Sequence, residues 1–215
     1  MPAPAPSPRV ALLRRLRWAA YGLIVVLLVA LGVAWLRQGG RELAAVGVAV
    51  PGGVSVGGPF ALTDDQGRAV TEASYRGRWM LVYFGYSFCP DVCPTELQTM
   101  AAALDRLGPL AAKVAPLFIT VDPARDTPAA LAEYVKLFDP RLVGLSGTEA
   151  QVAAVARAYR VYYARAEAKG STSYLMDHSS FLYLMGPDGT FQALFRQGTS
   201  ADDLAGAIKA RMGGA

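Results

Sequence analysis

Two largely apolar runs of eight residues, Trp79–Tyr86 and Val114–Val121, bracket an Ala/Leu-rich segment, and this arrangement constrains the fold more than any other feature of the chain. Each run has strand length and lacks the alternation of a half-exposed strand, so each reads as a strand buried in the centre of a sheet. Between them Thr95–Leu107 reads as a helix that stops at Gly108 with Pro109 behind it. Pro94 suits its first turn, where a missing N–H costs nothing, and Cys93 falls at or near its N-cap.

The neighbouring segments continue this alternation. Phe60–Leu62 and Ala69–Thr71 flank the turn DDQGR as a short hairpin. After DPARDTP, Thr127 and Pro128 open a helix that runs through Phe138. Leu142–Leu145 reads as a short strand, Thr148–Tyr159 as a helix, Ser179–Met185 and Thr190–Phe195 as a hairpin, and Ala201–Met212 as a closing helix. The order predicts an α/β fold, a mixed central sheet with helices on both faces.

Trp18–Leu36 is a different kind of segment, 19 consecutive residues without a charge, about the length that spans a bilayer. Four arginines precede it (Arg9, Arg14, Arg15, Arg17) and only Arg37 and Arg41 follow closely, which places the N-terminus in the cytoplasm and the rest outside. Trp18, Tyr21 and Trp35 sit near its ends, as interfacial aromatics do. The competing reading is a cleaved signal peptide with Gly47 and Ala49 at the cut, against which stands the length of the apolar run. The expected organisation is a basic cytoplasmic segment over 1–17, a transmembrane anchor over 18–36, a Gly-rich flexible tether over 37–57 and a folded domain over 58–215. A cell inner membrane, crossed once with the domain on the periplasmic side, fits this order.

The chain's formal charge of +4 belongs to that N-terminal flank. Residues 1–50 hold six arginines and one glutamate, a net of +5, which leaves 15 basic against 16 acidic residues, or −1, for residues 51–215. Without a basic stripe to neutralise phosphates, nucleic-acid binding is set aside.

Only two cysteines occur, Cys89 and Cys93 within FGYSFCPDVCPTEL, and only one histidine, His178. The C-x-x-x-C spacing lets both sulfurs enter one pocket, where they can bind a metal, close a disulfide, or do both by turns. A structural staple is the plain reading of two cysteines in an exported protein, but a buried strand before the pair and a helix after it form the kind of edge where α/β folds place reactive groups. Two thiolates and an imidazole are soft and borderline ligands that suit Cu(I), whereas zinc would lack a fourth protein ligand unless Asp177 supplied an oxygen. The helix N-terminus is expected to lower the pKa of Cys93. Asp177 is expected to orient the loop or the imidazole, with a turn-forming role as the alternative. Met176 reads as a core filler rather than a further soft ligand. Asp122, Arg125 and Asp126 read as caps or local ion pairs, or as part of a partner surface.

In order and spacing, FGYSFCPDVCP, TVDPARDTP, FDPRLVGLSGT and DHSSFLYLMGPDG resemble the Sco/SenC family of membrane-anchored thioredoxin-fold proteins, from about Gly57 to Arg211. The resemblance implies a thioredoxin-like domain that binds copper, Cu(I) by preference with Cu(II) also open, through Cys89, Cys93 and His178. It further implies a role in assembling the binuclear copper centre of cytochrome c oxidase subunit II, and hence a copper donor and a thiol reductant as partners. Many thioredoxin-fold enzymes place a proline ahead of the strand that follows His178; here Asp177-His178 occupies that region and the next proline is Pro187. Two classes remain, a metallochaperone and a thiol:disulfide reductase that keeps the recipient's cysteines reduced. A peroxidase of this fold would carry Thr three residues before its reactive Cys, where this chain has Tyr86.

Overall fold

The computed structural model describes residues 17–19, 21–33, 55–167 and 174–213. They fall in two units divided between Leu43 and Ala44. In the first, residues 17–19 and 21–33 are helical and exposed, and among the described residues no helix is long and apolar enough to cross a membrane. Residues 34–36 of the predicted span, nearly all of the basic segment, the tether as far as Val54, and Gly47 and Ala49 lie outside the described residues.

The second unit is built on a seven-stranded mixed sheet. The strands are β1 (Ala61–Asp64), β2 (Ala69–Thr71), β3 (Trp79–Gly85), β4 (Val114–Thr120), β5 (Val143–Ser146), β8 (Phe181–Met185) and β9 (Phe191–Arg196), in the order β2-β1-β5-β4-β3-β8-β9. Strands β3, β4 and β5 run parallel, while β1 on β5 and β8 on β3 pair antiparallel. Every residue of β3 and β4 is buried, so the two apolar runs are continuous because helices cover both faces.

Those helices are α1 (Val92–Leu107), α2 (Pro128–Val135), α3 (Glu149–Ala158) and α4 (Ala201–Gly213). Alternation along β3 divides them between the faces. Tyr83 and Gly85 point to the side of α1 and α2, where Tyr83 stacks on Phe118 and Phe118 meets Tyr134 of α2. Phe84 points the other way, onto Tyr159 at the end of α3. α4 packs on α1.

Local chemistry sets the helix ends. The Thr127 hydroxyl accepts the Ala130 N–H at the start of α2, and Thr148 with Gln151 forms a capping box on α3. The end of α3 is a Schellman turn: Val161 N–H reaches the Ala156 carbonyl at 2.8 Å and Arg160 N–H the Arg157 carbonyl, with Arg160 at φ +59°.

One element is absent from the sequence reading. β6 (Tyr163–Glu167) and β7 (Tyr174–His178) form a separate two-stranded ribbon, paired Tyr163 to His178 through Glu167 to Tyr174. Its residues alternate between half-buried and exposed and carry Arg165, Glu167 and Asp177, so it has no apolar run to announce it. His178, expected just ahead of a strand of the main sheet, therefore ends the last strand of an appended hairpin.

Candidate metal centre

The site lies at the carboxyl end of β3, where the chain leaves the sheet through Tyr86-Ser87-Phe88-Cys89-Pro90-Asp91 and enters α1. Asp91 takes the N-cap position and Cys93 is the second helical residue. Its thiol is fully buried against the end of β3 and can come that close because position 85 has no side chain: a Cβ on Gly85 would lie 2.8 Å from Cys93 Sγ. Cys89 is half-buried and its sulfur accepts the Cys93 N–H at 3.4 Å.

From the opposite side β7 delivers His178, whose Nε2 is 3.4 Å from Cys93 Sγ. Its Nδ1 lies 3.2 Å from the Ser179 carbonyl oxygen. A carbonyl can only accept, so Nδ1 carries the proton and Nε2 presents its lone pair to the sulfurs. The rings of Tyr83 and Tyr86 stand edge-on to the imidazole at centroid separations of 6.1 and 6.0 Å and wall it from two sides. The donor atoms of Cys89, Cys93 and His178 all lie within 4.8 Å of one another. Metal–ligand bonds of about 2.0–2.3 Å place two donors of one ion within about 4.6 Å, so the three need little movement to share one.

The two thiols are unequal, and not in the expected sense. A hydrogen bond from the Cys93 thiol, helped by the Asp91 and Cys93 N–H groups, pulls the Cys89 pKa down to about 3 against the opposing effect of its burial. The thiolate beside it and burial push Cys93 up. The helix N-terminus does favour a thiolate, but its N–H groups converge on Cys89, while Cys93 is buried behind it.

The loop 120–128 supports both halves of the site. Asp126, fully buried, accepts hydrogen bonds from Ser87 N–H at 3.0 Å, from the Thr120 hydroxyl at 2.6 Å and from the Ser87 hydroxyl, fixing the base of the cysteine loop. Burial raises its pKa. That environment excludes Asp126 from any partner surface. Arg125 forms the local ion pair with Asp122 and covers the rings of Phe88 and Tyr174 at 4.6 and 3.8 Å. Met176 is half-buried and packs against the core. Asp177 is exposed, on the face of β7 opposite His178, and the imidazole Nδ1 faces the Ser179 carbonyl instead. Sequence reasoning passed over Gly85, Ser87 and Tyr174. Only Gly85, a glycine ending an aromatic strand beside a cysteine loop, carried a visible signal.

Comparison with known proteins agrees with this geometry. Residues 49–213 match the SCO1/SenC family. The chain belongs to that family. It is 45% identical over 159 residues to the human mitochondrial SCO1 homologue, covering 73% of this chain and 53% of the relative, and 45% identical over 154 residues to the Arabidopsis thaliana SCO1 homologue 1, covering 71% and 46%. It thus spans about half the length of those relatives. Among solved structures, Arabidopsis thaliana ScoI with copper bound is 42% identical, covers 74% of this chain and 99% of the other, and superposes with a TM-score of 0.71. Bradyrhizobium japonicum ScoI with copper bound is 44% identical with coverages of 72% and 98% and a TM-score of 0.67. The SCO1/SenC core is thioredoxin-like, and the seven-stranded sheet with its flanking helices is this chain's form of it.

Proposed function

We propose that this protein is a membrane-anchored metallochaperone that binds copper through Cys89, Cys93 and His178 and helps assemble the binuclear copper centre of cytochrome c oxidase subunit II. The convergence of the three donors within 4.8 Å carries the reading, and the copper-bound relatives support it. Two sulfurs and one imidazole nitrogen favour Cu(I) and leave Cu(II) within reach. The chain's own residues prepare the cargo site. Ser179 sets the imidazole tautomer, Gly85 makes room for the Cys93 sulfur, and Tyr83, Tyr86 and Phe118 exclude water behind it.

The anchor over 18–36, the tether over 37–57 and the periplasmic placement of the domain over 58–215 rest on the apolar run and the arginine bias, with a copper donor and a thiol reductant completing the cycle. Asp177, beside the ligand histidine on an exposed strand position, is assigned to the loop around the imidazole.

A second reading, a thiol:disulfide reductase acting on the recipient's cysteines, is favoured by the unequal thiols, since a low-pKa, half-buried sulfur beside a fully buried one is the arrangement of an attacking dithiol. Deletion of the gene and measurement of subunit II copper separates the two. The metallochaperone reading expects rescue by wild type and by neither His178→Ala nor Cys89→Ser/Cys93→Ser; rescue by His178→Ala with failure of the cysteine variant would establish the reductase.

A further inference from the structure

His178 and the cysteines belong to different substructures. β6 and β7 pack chiefly against each other and share no main-sheet hydrogen bond, and a cleft of about 280 Å³ lined by Asp122, Pro123, Tyr163, Arg165 and Met176 opens between the ribbon and the loop after β4. Tyr163 and Met176 touch the edge of the core. The ribbon is thus held at a few points, and its placement decides whether the imidazole faces the sulfurs.

Arg125 touches both sides of this division and reaches the ribbon and the cysteine loop at once. One guanidinium nitrogen donates to the Tyr174 carbonyl at 3.0 Å, at the start of the strand that ends in His178. Nε pairs with Asp122, which in turn accepts the Tyr174 hydroxyl at 2.8 Å, so backbone and side chain of Tyr174 are both tied to the 122–125 turn. The planar cation lies 3.8 Å from the Tyr174 ring centroid, and reaches Phe88 at 4.6 Å and Tyr86 at 5.7 Å in the cysteine loop. Arg165 covers the Tyr174 ring as well, at 3.7 Å. Arg125 is 17% exposed and one of its nitrogens, Nη2, is buried with no hydrogen-bond partner among the described residues. A buried cation with an unpaired donor is costly, and here it persists because three aromatic rings and a carboxylate fix its plane.

We propose that Arg125 is a positioning residue for the third metal ligand: by clamping Tyr174 against the cysteine loop it sets the register of β7 so that His178 Nε2 faces the two sulfurs. This rests on the copper reading above. The clamp needs a flat guanidinium that stacks and donates in two directions at once, so lysine cannot replace it.

The test is a double-mutant cycle on the full chain in detergent, with Cu(I) affinity read by competition with a chromogenic chelator and Cu(II) ligation read from its electron paramagnetic resonance hyperfine pattern. Arg125→Lys is expected to weaken copper binding by about 10- to 100-fold and to shift the hyperfine pattern toward that of His178→Ala. In the His178→Ala background the same substitution should change affinity by less than about 2-fold, because the ligand it positions is gone. Wild-type affinity and spectrum in Arg125→Lys, or an equal further loss in the His178→Ala background, overturns the proposal while the copper reading stands. A wild-type chain that takes up no copper, or a His178→Ala variant as tight as wild type, overturns the copper reading and the proposal with it. Should Arg125→Lys fail to fold, Tyr174→Phe, which removes only the hydroxyl bond to Asp122, takes its place with an expected loss of about 3-fold confined to the background that retains His178; no loss there overturns the clamp.

Discussion

Gly85→Ala tests the close approach on which the metal centre depends. The added Cβ would sit 2.8 Å from Cys93 Sγ, 2.9 Å from Phe118 Cε2 and 3.1 Å from Tyr83 Cε1. The two rings are fully buried and stacked on each other at 6.3 Å, so they have little room to yield. The sulfur is the soft side of the clash. Reaching an ordinary contact of 3.4 Å requires it to move by about 0.6 Å, away from the end of β3. Overpacking of this kind costs about 1–3 kcal/mol, and replacing a strand glycine returns about 0.5–1 kcal/mol, leaving a net loss of up to about 2.5 kcal/mol. For a domain of this size that lowers Tm by up to about 10 °C.

Copper affinity should fall by more than stability alone dictates, by about 10-fold or greater, because the displaced atom is itself a donor. Gly144→Ala is the control. Its Cβ would meet Leu131 Cβ at 2.8 Å and Val135 Cγ1 at 3.3 Å, a clash of the same size against α2 and away from the three donors. It should lower Tm over the same range and leave Cu(I) affinity at the wild-type value. Calorimetry and chelator competition on the three proteins decide the matter. Wild-type copper affinity in Gly85→Ala, or an equal loss in Gly144→Ala, would refute the reasoning.

Asp126→Ala leaves the Ser87 N–H and the Thr120 hydroxyl without their buried acceptor and should destabilise the domain by about 3 kcal/mol in urea unfolding; a change under about 0.5 kcal/mol would show that Asp126 does not hold the loop. Glu96 is buried in α1 with one oxygen on the Gly198 N–H and the other without a partner among the described residues, and burial raises its pKa from 4.5. A raised carboxyl pKa contributes stability below the unfolded value that is lost as pH rises through the folded one, so wild-type stability relative to Glu96→Gln should decline above pH 4.5, and a flat difference across that window would contradict the burial. With Cys89 pulled down to about 3 and Cys93 pushed up, the apo domain holds one thiolate at neutral pH. Cu(I) uptake then releases one proton, and affinity should rise about 10-fold per pH unit from 7 to 8.5, against about 100-fold if both thiols were protonated.

Strong local signals carried the sequence reading: the two apolar runs became β3 and β4, Thr127 capped the helix it was expected to cap, and the three donors met. What escaped it depends on contacts between distant segments. The β6–β7 ribbon is half-exposed and mixes Arg165, Glu167 and Asp177 with tyrosines, a pattern that loops share. Asp126 looked like a cap from its neighbours, and only the folding of residue 87 onto residue 126 reveals it as the anchor of the cysteine loop. The polarity of the thiol pair was misassigned for a related reason. Helix position alone favoured Cys93, whereas the ionised sulfur is the one toward which the helix N–H groups and the second thiol converge, and the depth of each sulfur is not written in the spacing.

The exposure of the three donors bears on how a partner would reach the site. Cys93 is fully buried beneath Tyr83 and Phe118, whereas Cys89, beside the exposed Phe88 and Pro90, and His178, between Tyr83 and Tyr86, are each half-buried, so of the two sulfurs a ligand arriving from solvent reaches Cys89 first. The same sulfur carries the thiolate, and a thiolate is both the stronger metal ligand and the nucleophile in disulfide exchange. The two proposed activities, copper delivery and thiol reduction, would both engage the Cys89 thiolate, and mapping where a partner docks cannot tell them apart. The imidazole can. It faces the sulfurs from a ribbon of its own, has no part in disulfide exchange, and is held there by Arg125 and Tyr174, so a perturbation that reaches it without touching Cys89 should separate the two activities.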